Sequence, residues 1–374
     1  MRIGIDARFW HSSNTGIGQY TKGLVKALAK IDRKNEYVIF LRKKDLEEWD
    51  IGASNFRPVV VDIMHYSFAE QIILPWIFLS HRLDLIHFAN FNFPILYPGK
   101  FVVTIHDLAR YVFPGVRLQG QIFKWGYYLT MWMAVRRANK IIAVTKYTRD
   151  EVVKKLGGNL KKIAVILEGI DVDRFPQRRG VESSLRERYG LRWPVLFYVG
   201  NWRSHKNIPT LLDAFRIMRD KGVQAHLVLG GKAEPEVMEL IHKHTYKKDI
   251  VVAGFIANEE LPDYYALADV FVYPSLYEGF GLQVLEAQYM GVPVAASNAT
   301  TLPEVGSDAA RYFNPLDAND LALVVSSILR SKKTQDTLRS RGLRNLKRFS
   351  WEKCAKETLK VFEEVARVRH SYQS

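Results

Sequence analysis

The chain is short of cysteine, of long apolar runs and of acidic residues, and each shortage excludes something. Its one cysteine, Cys354, cannot close an internal disulfide and fits a reducing compartment. The greasiest stretch, residues 72–79, is short and interrupted by Pro75, so it cannot span a bilayer. Residues 1–7 already read as a strand, and no signal peptide is expected ahead of the fold. No internal repeat or low-complexity segment stands out. What is left is an ordinary globular composition, 48% hydrophobic and 25% charged, whose 374 residues suit two domains. The expected location is cytoplasmic.

The deficit of acid is uneven. The net charge is +15, yet residues 1–168 carry 25 Lys/Arg against 14 Asp/Glu, residues 169–329 carry 16 against 20, and residues 330–374 carry 13 against 5. A basic first half and tail therefore flank a mildly acidic middle. Such a surface attracts nucleic acid, anionic lipid or a phosphate-bearing substrate. No helix-turn-helix, zinc or RNP signature accompanies the charge, so no nucleic-acid partner is expected.

Strand and helix patterns alternate along the chain. Strands are expected at 2–6, 37–41, 58–63, 83–88, 101–105, 141–145 and 163–167, then at 195–200, 226–230, 250–254, 270–273 and 292–296. Amphipathic stretches such as 18–30, 207–221 and 259–268 lie between them. This alternation predicts an α/β protein with parallel sheets covered on both faces. Residues 168–180, with Gly169, Pro176 and Gln177-Arg178-Arg179-Gly180, break the rhythm and read as the linker between two doubly wound domains. Ligands of such sheets bind at the carboxyl ends of the strands.

The most informative stretch is Tyr277-Glu278-Gly279-Phe280-Gly281-Leu282-Gln283-Val284-Leu285-Glu286-Ala287, directly after the apolar run 270–274. A buried strand, a glycine turn and a helix over 282–290 are expected, which leaves unpaired helix amides beside a glycine-lined loop and favours an anion there. Two carboxylates eight positions apart would be spaced roughly 12 Å if the segment were helical throughout. A nucleotide sugar, with hydroxyls at both ends and phosphate between, has the matching shape.

This E-x7-E stretch with Gly-Phe-Gly-Leu inside it resembles the signature of retaining glycosyltransferases of the GT-B fold, family 4 type, also described as glycosyl transferases group 1. The resemblance implies two Rossmann-like domains facing across a cleft, with a C-terminal helix crossing back to the first. It places the acceptor-side domain at 1–168, completed by the helix at 351–374, and the donor-side domain at 169–350. In that family the first Glu contacts the transferred sugar and the second holds the ribose, roles that fall here on Glu278 and Glu286. Gly279, Phe280, Gly281 and Leu282 then line the donor.

Three further stretches resemble parts of the family site. Gly200-Asn201-Trp202-Arg203-Ser204-His205-Lys206-Asn207 resembles the diphosphate-binding stretch, with Arg203 and Lys206 as the cationic groups; many members carry Arg where His205 stands. Arg can fork onto two phosphate oxygens, whereas Lys acts as a point charge. Thr104-Ile105-His106-Asp107-Leu108 resembles the His-Asp stretch whose His binds the donor sugar, with Asp107 orienting His106 or capping the next segment. Thr15-Gly16-Ile17-Gly18-Gln19-Tyr20 opens a helix after the first strand. As a dinucleotide fingerprint it fails, because its third glycine is displaced to Gly23. The resemblance instead puts Gly16 and Gly18 near the diphosphate, and a turn needed only for packing is the alternative.

Asp171-Val172-Asp173 looks like a manganese-binding Asp-x-Asp, but it sits in the expected linker and no metal or other cofactor is expected. Glu304 is expected to be positional. Catalysis is expected to be electrostatic, through Arg203, Lys206 and the helix start, since no residue stands out as a covalent nucleophile. The donor is expected to be GDP-mannose or a UDP-hexose, and the acceptor a glycan or a polyprenyl-linked glycan in cell-surface polysaccharide synthesis. Residues 119–140 mix Trp125, Trp132 and Leu129 with Lys124, Arg136 and Arg137. They read either as a packed helix with a basic end or as a helix lying on an anionic membrane at its inner face. A noncatalytic partner that binds nucleotide or glycan for another subunit is the alternative to an enzyme.

Overall fold

The computed structural model describes residues 1–10, 16–113, 121–176 and 181–367. Thr15, residues 114–120, the Gln177–Gly180 run and the tail beyond Arg367 lie outside them. The strands are β1 (Arg2–Asp6), β2 (Glu36–Leu41), β3 (Phe56–Val60), β4 (Leu85–Phe88), β5 (Phe101–Ile105), β6 (Lys140–Ala143) and β7 (Ile163–Val165). They are followed by β8 (Val195–Val199), β9 (His226–Gly230), β10 (Ile250–Gly254), β11 (Val270–Tyr273), β12 (Val294–Ser297) and β13 (Ala310–Phe313). The helices up to the middle of the chain are α1 (Gly16–Ile31), α2 (Phe68–Ser80), α3 (Ala109–Val112), α4 (Gln121–Arg137), α5 (Lys146–Leu156) and α6 (Val181–Tyr189). Those after it are α7 (Ile208–Asp220), α8 (Pro235–Lys243), α9 (Leu261–Leu267), α10 (Leu282–Tyr289), α11 (Leu302–Gly306), α12 (Ala318–Arg330), α13 (Lys332–Asn345) and α14 (Trp351–Arg367).

Two compact units result. One runs from Met1 to Gly169 and takes the chain back from Phe349, and the other is Ile170–Arg348. The first holds a parallel sheet in the order β3-β2-β1-β4-β5-β6-β7, the second a parallel sheet in the order β10-β9-β8-β11-β12-β13. Most of their strands are buried along their length, as parallel strands covered on both faces must be. In each unit the strand order reverses beside the first strand, between β1 and β4 and between β8 and β11. Ligand-binding crevices open at such switch points, beside the loops leaving these strands.

In the first unit α1 and α14 pack together on one face of the sheet, through Tyr20, Leu24 and Leu28 on α1 and Ala355, Phe362 and Val365 on α14. The opposite face is covered by α2, α4 and α5, through Leu74, Phe78, Met131 and Val152. Ser350 caps α14, its Oγ accepting from Lys353 N at 3.4 Å. Gly23 is where the two helices meet: a Cβ there would lie 2.3 Å from the Trp351 ring. The displaced glycine of the first loop is therefore a packing residue.

Several element boundaries differ from the expected ones. β3 spans 56–60 rather than 58–63, because Phe56 stacks on Tyr37 with centroids 4.2 Å apart and anchors the start. The chain then bends away, and the Arg8 guanidinium donates to Ile63 O. Pro58 is tolerated because β3 is an edge strand. The edge strand β13 was not anticipated, since only its two end residues are buried and Arg311 interrupts the apolar pattern. The 168–180 segment is not a simple linker: Glu168 is buried in the first unit, while Phe175 belongs to the core of the second.

Candidate functional site

In the second unit the loops leaving β8 and β11 are stitched together. Leu276 N donates to His205 O at 2.8 Å. Asn207 adopts φ 59°, a left-handed conformation that Asn tolerates, and its amide donates to Pro274 O at 3.1 Å and Pro315 O at 2.7 Å. This holds the end of the Gly200–Asn207 stretch under the carboxyl end of β11. Lys206, 8% exposed, thereby meets Glu278, 9% exposed, with Nζ to Oε1 at 2.6 Å. The ammonium also lies 5.6 Å from the centroid of the Tyr273 ring. Burial, followed by the Glu278 charge, pushes the Tyr273 and Tyr198 phenols well above their ordinary range, so both stay neutral. Arg203 is exposed and starts the short turn 204–206 that carries Lys206 inward.

Glu278 is not helical. Gly281, at φ 97°, makes the turn, and a Cβ there would meet Leu302 at 2.7 Å. The helical spacing used for the Glu278–Glu286 pair therefore does not apply, although α10 does begin at Leu282. Thr300 and Thr301 fix the loop in between: Glu278 N donates to Thr300 Oγ1 at 3.1 Å, and Thr301 Oγ1 donates to Phe280 O at 3.2 Å. Phe280 is buried, while Gly279 and Leu282 are half-buried. The sequence offered no signal for the two threonines beyond their place after β12.

Glu286 sits on α10, 5% exposed, and accepts a hydrogen bond from the Tyr265 hydroxyl at 2.8 Å. Arg174 approaches its other oxygen at 3.9 Å. Burial raises the Glu286 carboxyl above its ordinary value, and Arg174 and Tyr265 act in the opposite direction. Tyr265 and Arg174 were not singled out in the sequence. Asp171 and Asp173, just before Arg174 in the chain, are exposed. The half-buried Glu304 accepts at its backbone carbonyl from Arg348.

In the first unit His106 follows β5, and both its ring nitrogens are engaged. Nδ1 lies 3.0 Å from Glu168 Oε1 and Nε2 lies 2.8 Å from Ala89 O. Two acceptors facing one imidazole are best satisfied by its doubly protonated form. Burial opposes that charge, but the Glu168 hydrogen bond and carboxylate outweigh it and hold His106 above its ordinary value. Tyr20, from the helix that Gly16 and Gly18 open, sets its ring edge-on to His106 at 4.7 Å. Gly16 is exposed with open space around it, while Gly18 is buried. Asp107 caps the next segment, accepting from Ala109 N at 2.8 Å, so the orienting partner of His106 is Glu168.

Two family models match this architecture: "Glycosyltransferase Family 4" over residues 14–174 and "Glycosyl transferases group 1" over residues 186–345. The chain belongs to the GT-B glycosyltransferases of the group 1/family 4 type. It is 28% identical over 370 residues to the O-antigen chain mannosyltransferase B of Escherichia coli, covering 93% of this chain and 96% of that protein. Among solved structures it is similar to the sucrose-phosphate synthase of Thermosynechococcus elongatus, with a TM-score of 0.78 at 20% identity, covering 98% and 100% of the two chains. It is also similar to Anabaena HepE in complex with UDP and glucose, with a TM-score of 0.74 at 17% identity over 97% and 100%. At those identities the structures speak to the fold alone.

Proposed function

We propose that this glycosyltransferase moves a mannosyl unit, with retention of configuration, from GDP-mannose to a glycan or polyprenyl-linked glycan of a cell-surface polysaccharide. The observation that carries the donor site is the buried Lys206–Glu278 pair at the switch point of the second sheet. The preference for mannose rests on the O-antigen mannosyltransferase among its relatives, and UDP-hexoses are the competing donors. In this reading Glu286 takes the ribose hydroxyls and Glu278 takes a hydroxyl of the sugar. Arg203, Lys206 and the first amides of α10 take the diphosphate. The Gly279–Leu282 turn would line the diphosphate in this reading, while His106 follows β5 and the Gly16–Gly18 turn opens α1 in the first unit.

Catalysis is then electrostatic. As the bond from the anomeric carbon to the phosphate oxygen breaks, the leaving diphosphate gains charge beside Lys206 and Arg203, and the acceptor hydroxyl attacks from the same face, its proton passing to the leaving phosphate oxygen. The protein's own cations and amides can carry that charge, so turnover is expected to survive chelation of divalent metals. Calorimetry with GDP-mannose, UDP-glucose, UDP-N-acetylglucosamine and the free diphosphates, repeated with Glu286→Ala, tests the donor site. GDP-mannose and GDP should bind, and the substitution should abolish both. If only uridine nucleotides bind, mannose is the wrong sugar; if nothing binds, the donor site is wrong.

A further inference from the structure

The outer surface of α2 is inverted relative to an ordinary surface helix, which turns its polar face to water. Its only charged side chain, Glu70, is fully buried, held by the Arg8 guanidinium at 2.7 Å and the Asn92 amide at 2.6 Å. Phe68, Ile72, Trp76 and Leu79 point outward instead, with Phe68 81% and Trp76 72% exposed. Positions 68, 72, 76 and 79 follow one stripe of a helix.

α4 repeats the arrangement. Trp125, Leu129, Trp132 and Arg136 lie on its exposed stripe, and the Arg136 guanidinium sits over the Trp132 ring at 5.3 Å. Its opposite side packs on the sheet through Tyr127, Met131 and Val135. The segment between β4 and β5 joins the two helices: Gln71 of α2 accepts from Ile95 N at 2.8 Å, and Arg137 of α4 donates to Tyr97 O at 2.7 Å. Leu96, on that bridge, is 72% exposed. Two helices of one layer and the segment between them thus each leave large apolar side chains exposed, and clusters of that kind mark an interaction surface.

Charge says what covers it. Lys124 and Arg136 on α4 and Arg82 just after α2 accompany the apolar side chains, and neither helix exposes a carboxylate. A second copy meeting this face would bring like charges together. Tryptophan beside lysine and arginine is instead the composition of a surface that sits at the headgroup level of a bilayer. Among the described residues no helix is long and apolar enough to cross a membrane. We infer that the α2–α4 face docks in the plane of an anionic membrane, with both helices lying flat and their tryptophans entering the headgroup region. This surface stands independently of which donor the second unit takes.

The test is flotation of the whole protein with phosphatidylcholine vesicles, with and without phosphatidylglycerol, at low and high salt. The wild type should float with the anionic vesicles. Ile72→Ser/Trp76→Ser on α2 and Trp125→Ser/Trp132→Ser on α4 should each lower partition at least about tenfold, and Lys124→Gln/Arg136→Gln should remove most of the preference for phosphatidylglycerol. All the replaced groups lie at the surface, so circular dichroism and melting should stay those of the wild type. A wild type that floats with neither vesicle, or serine variants that float like it, overturns the inference. So does a concentration-dependent dimer in sedimentation that the serine variants dissolve, which would give the face to a second copy.

Discussion

Lys206 and Glu278 are 72 residues apart in the chain and share one buried ion pair at 2.6 Å. In the proposed reading one carboxylate thus faces the cation assigned to the leaving diphosphate, which would couple the sugar and phosphate subsites electrically. Lys206→Ala should lower turnover by about a hundredfold and nucleotide-sugar affinity by less than about tenfold, because its charge matters most as the bond breaks. Arg203→Ala should act in the same direction. Glu278→Gln should cut turnover while free nucleoside diphosphate binds at least as tightly, since Lys206 loses its competing anion. Steady-state kinetics paired with calorimetry reads both, and unchanged turnover in the Lys206 and Arg203 variants would discard the electrostatic mechanism.

Tyr265 holds Glu286 through a hydrogen bond to a charged group, an interaction worth about 1.5–3 kcal/mol. Tyr265→Phe should therefore weaken nucleoside diphosphate binding by about tenfold. The loss should shrink for a dideoxyribose analogue, whose missing hydroxyls leave Glu286 nothing to grip. Equal losses for both ligands would show that Tyr265 only supports the fold.

At Gly23 two effects compete. Alanine is favoured over glycine inside a helix by about 1 kcal/mol, but the added Cβ would stand 2.3 Å from Trp351. Overpacking of that kind costs about 1–3 kcal/mol, so the clash should win. Urea unfolding should show Gly23→Ala less stable than the wild type. In the Trp351→Ala background, where the obstacle is gone, the same change should be neutral or stabilising.

Acid should weaken the first unit. Burial, then the Arg8 charge, depresses His65 to about 4, and burial, then the His106 charge, depresses His87 to about 3. Both are folded in neutral form, so their contribution is complete above the ordinary value of 6.5 and is lost as pH falls through 6.5 toward 4. His106 has the opposite sign: its contribution is complete below 6.5 and fades as pH rises past its raised folded value. Thermal melts across this range should show midpoints falling on the acid side. His65→Phe, which keeps the stack on Phe9, should flatten that limb.

Much of this was legible in the sequence because it is local. Uninterrupted β-branched and aromatic runs such as Val195–Val199 announced buried parallel strands, and Gly281 announced the turn before α10. Groups that meet only through the fold were hidden. Glu168 read as the start of a linker because nothing near it in sequence hints that His106, 62 residues earlier, lies 3.0 Å away. Tyr265 lay undistinguished within the amphipathic stretch 259–268, and its hydroxyl partner Glu286 came from another helix. The inverted face of α2 was masked by Pro75, which interrupts the apolar run, while the partners that hold Glu70 came from the segment just after β1 and the β4–β5 segment.

The placement of α14 dictates an order of assembly. The polypeptide leaves the first unit at Gly169 and returns to it only at Phe349. During synthesis the sheet of β1–β7 must wait, with the α1 side of its core only partly covered, until α14 emerges from the ribosome. The second unit has by then been fully translated and can close on its own. The half made first is thus the half completed last, and a ribosome stalled before Trp351 would strand it with Leu24 and Leu28 open to other chains.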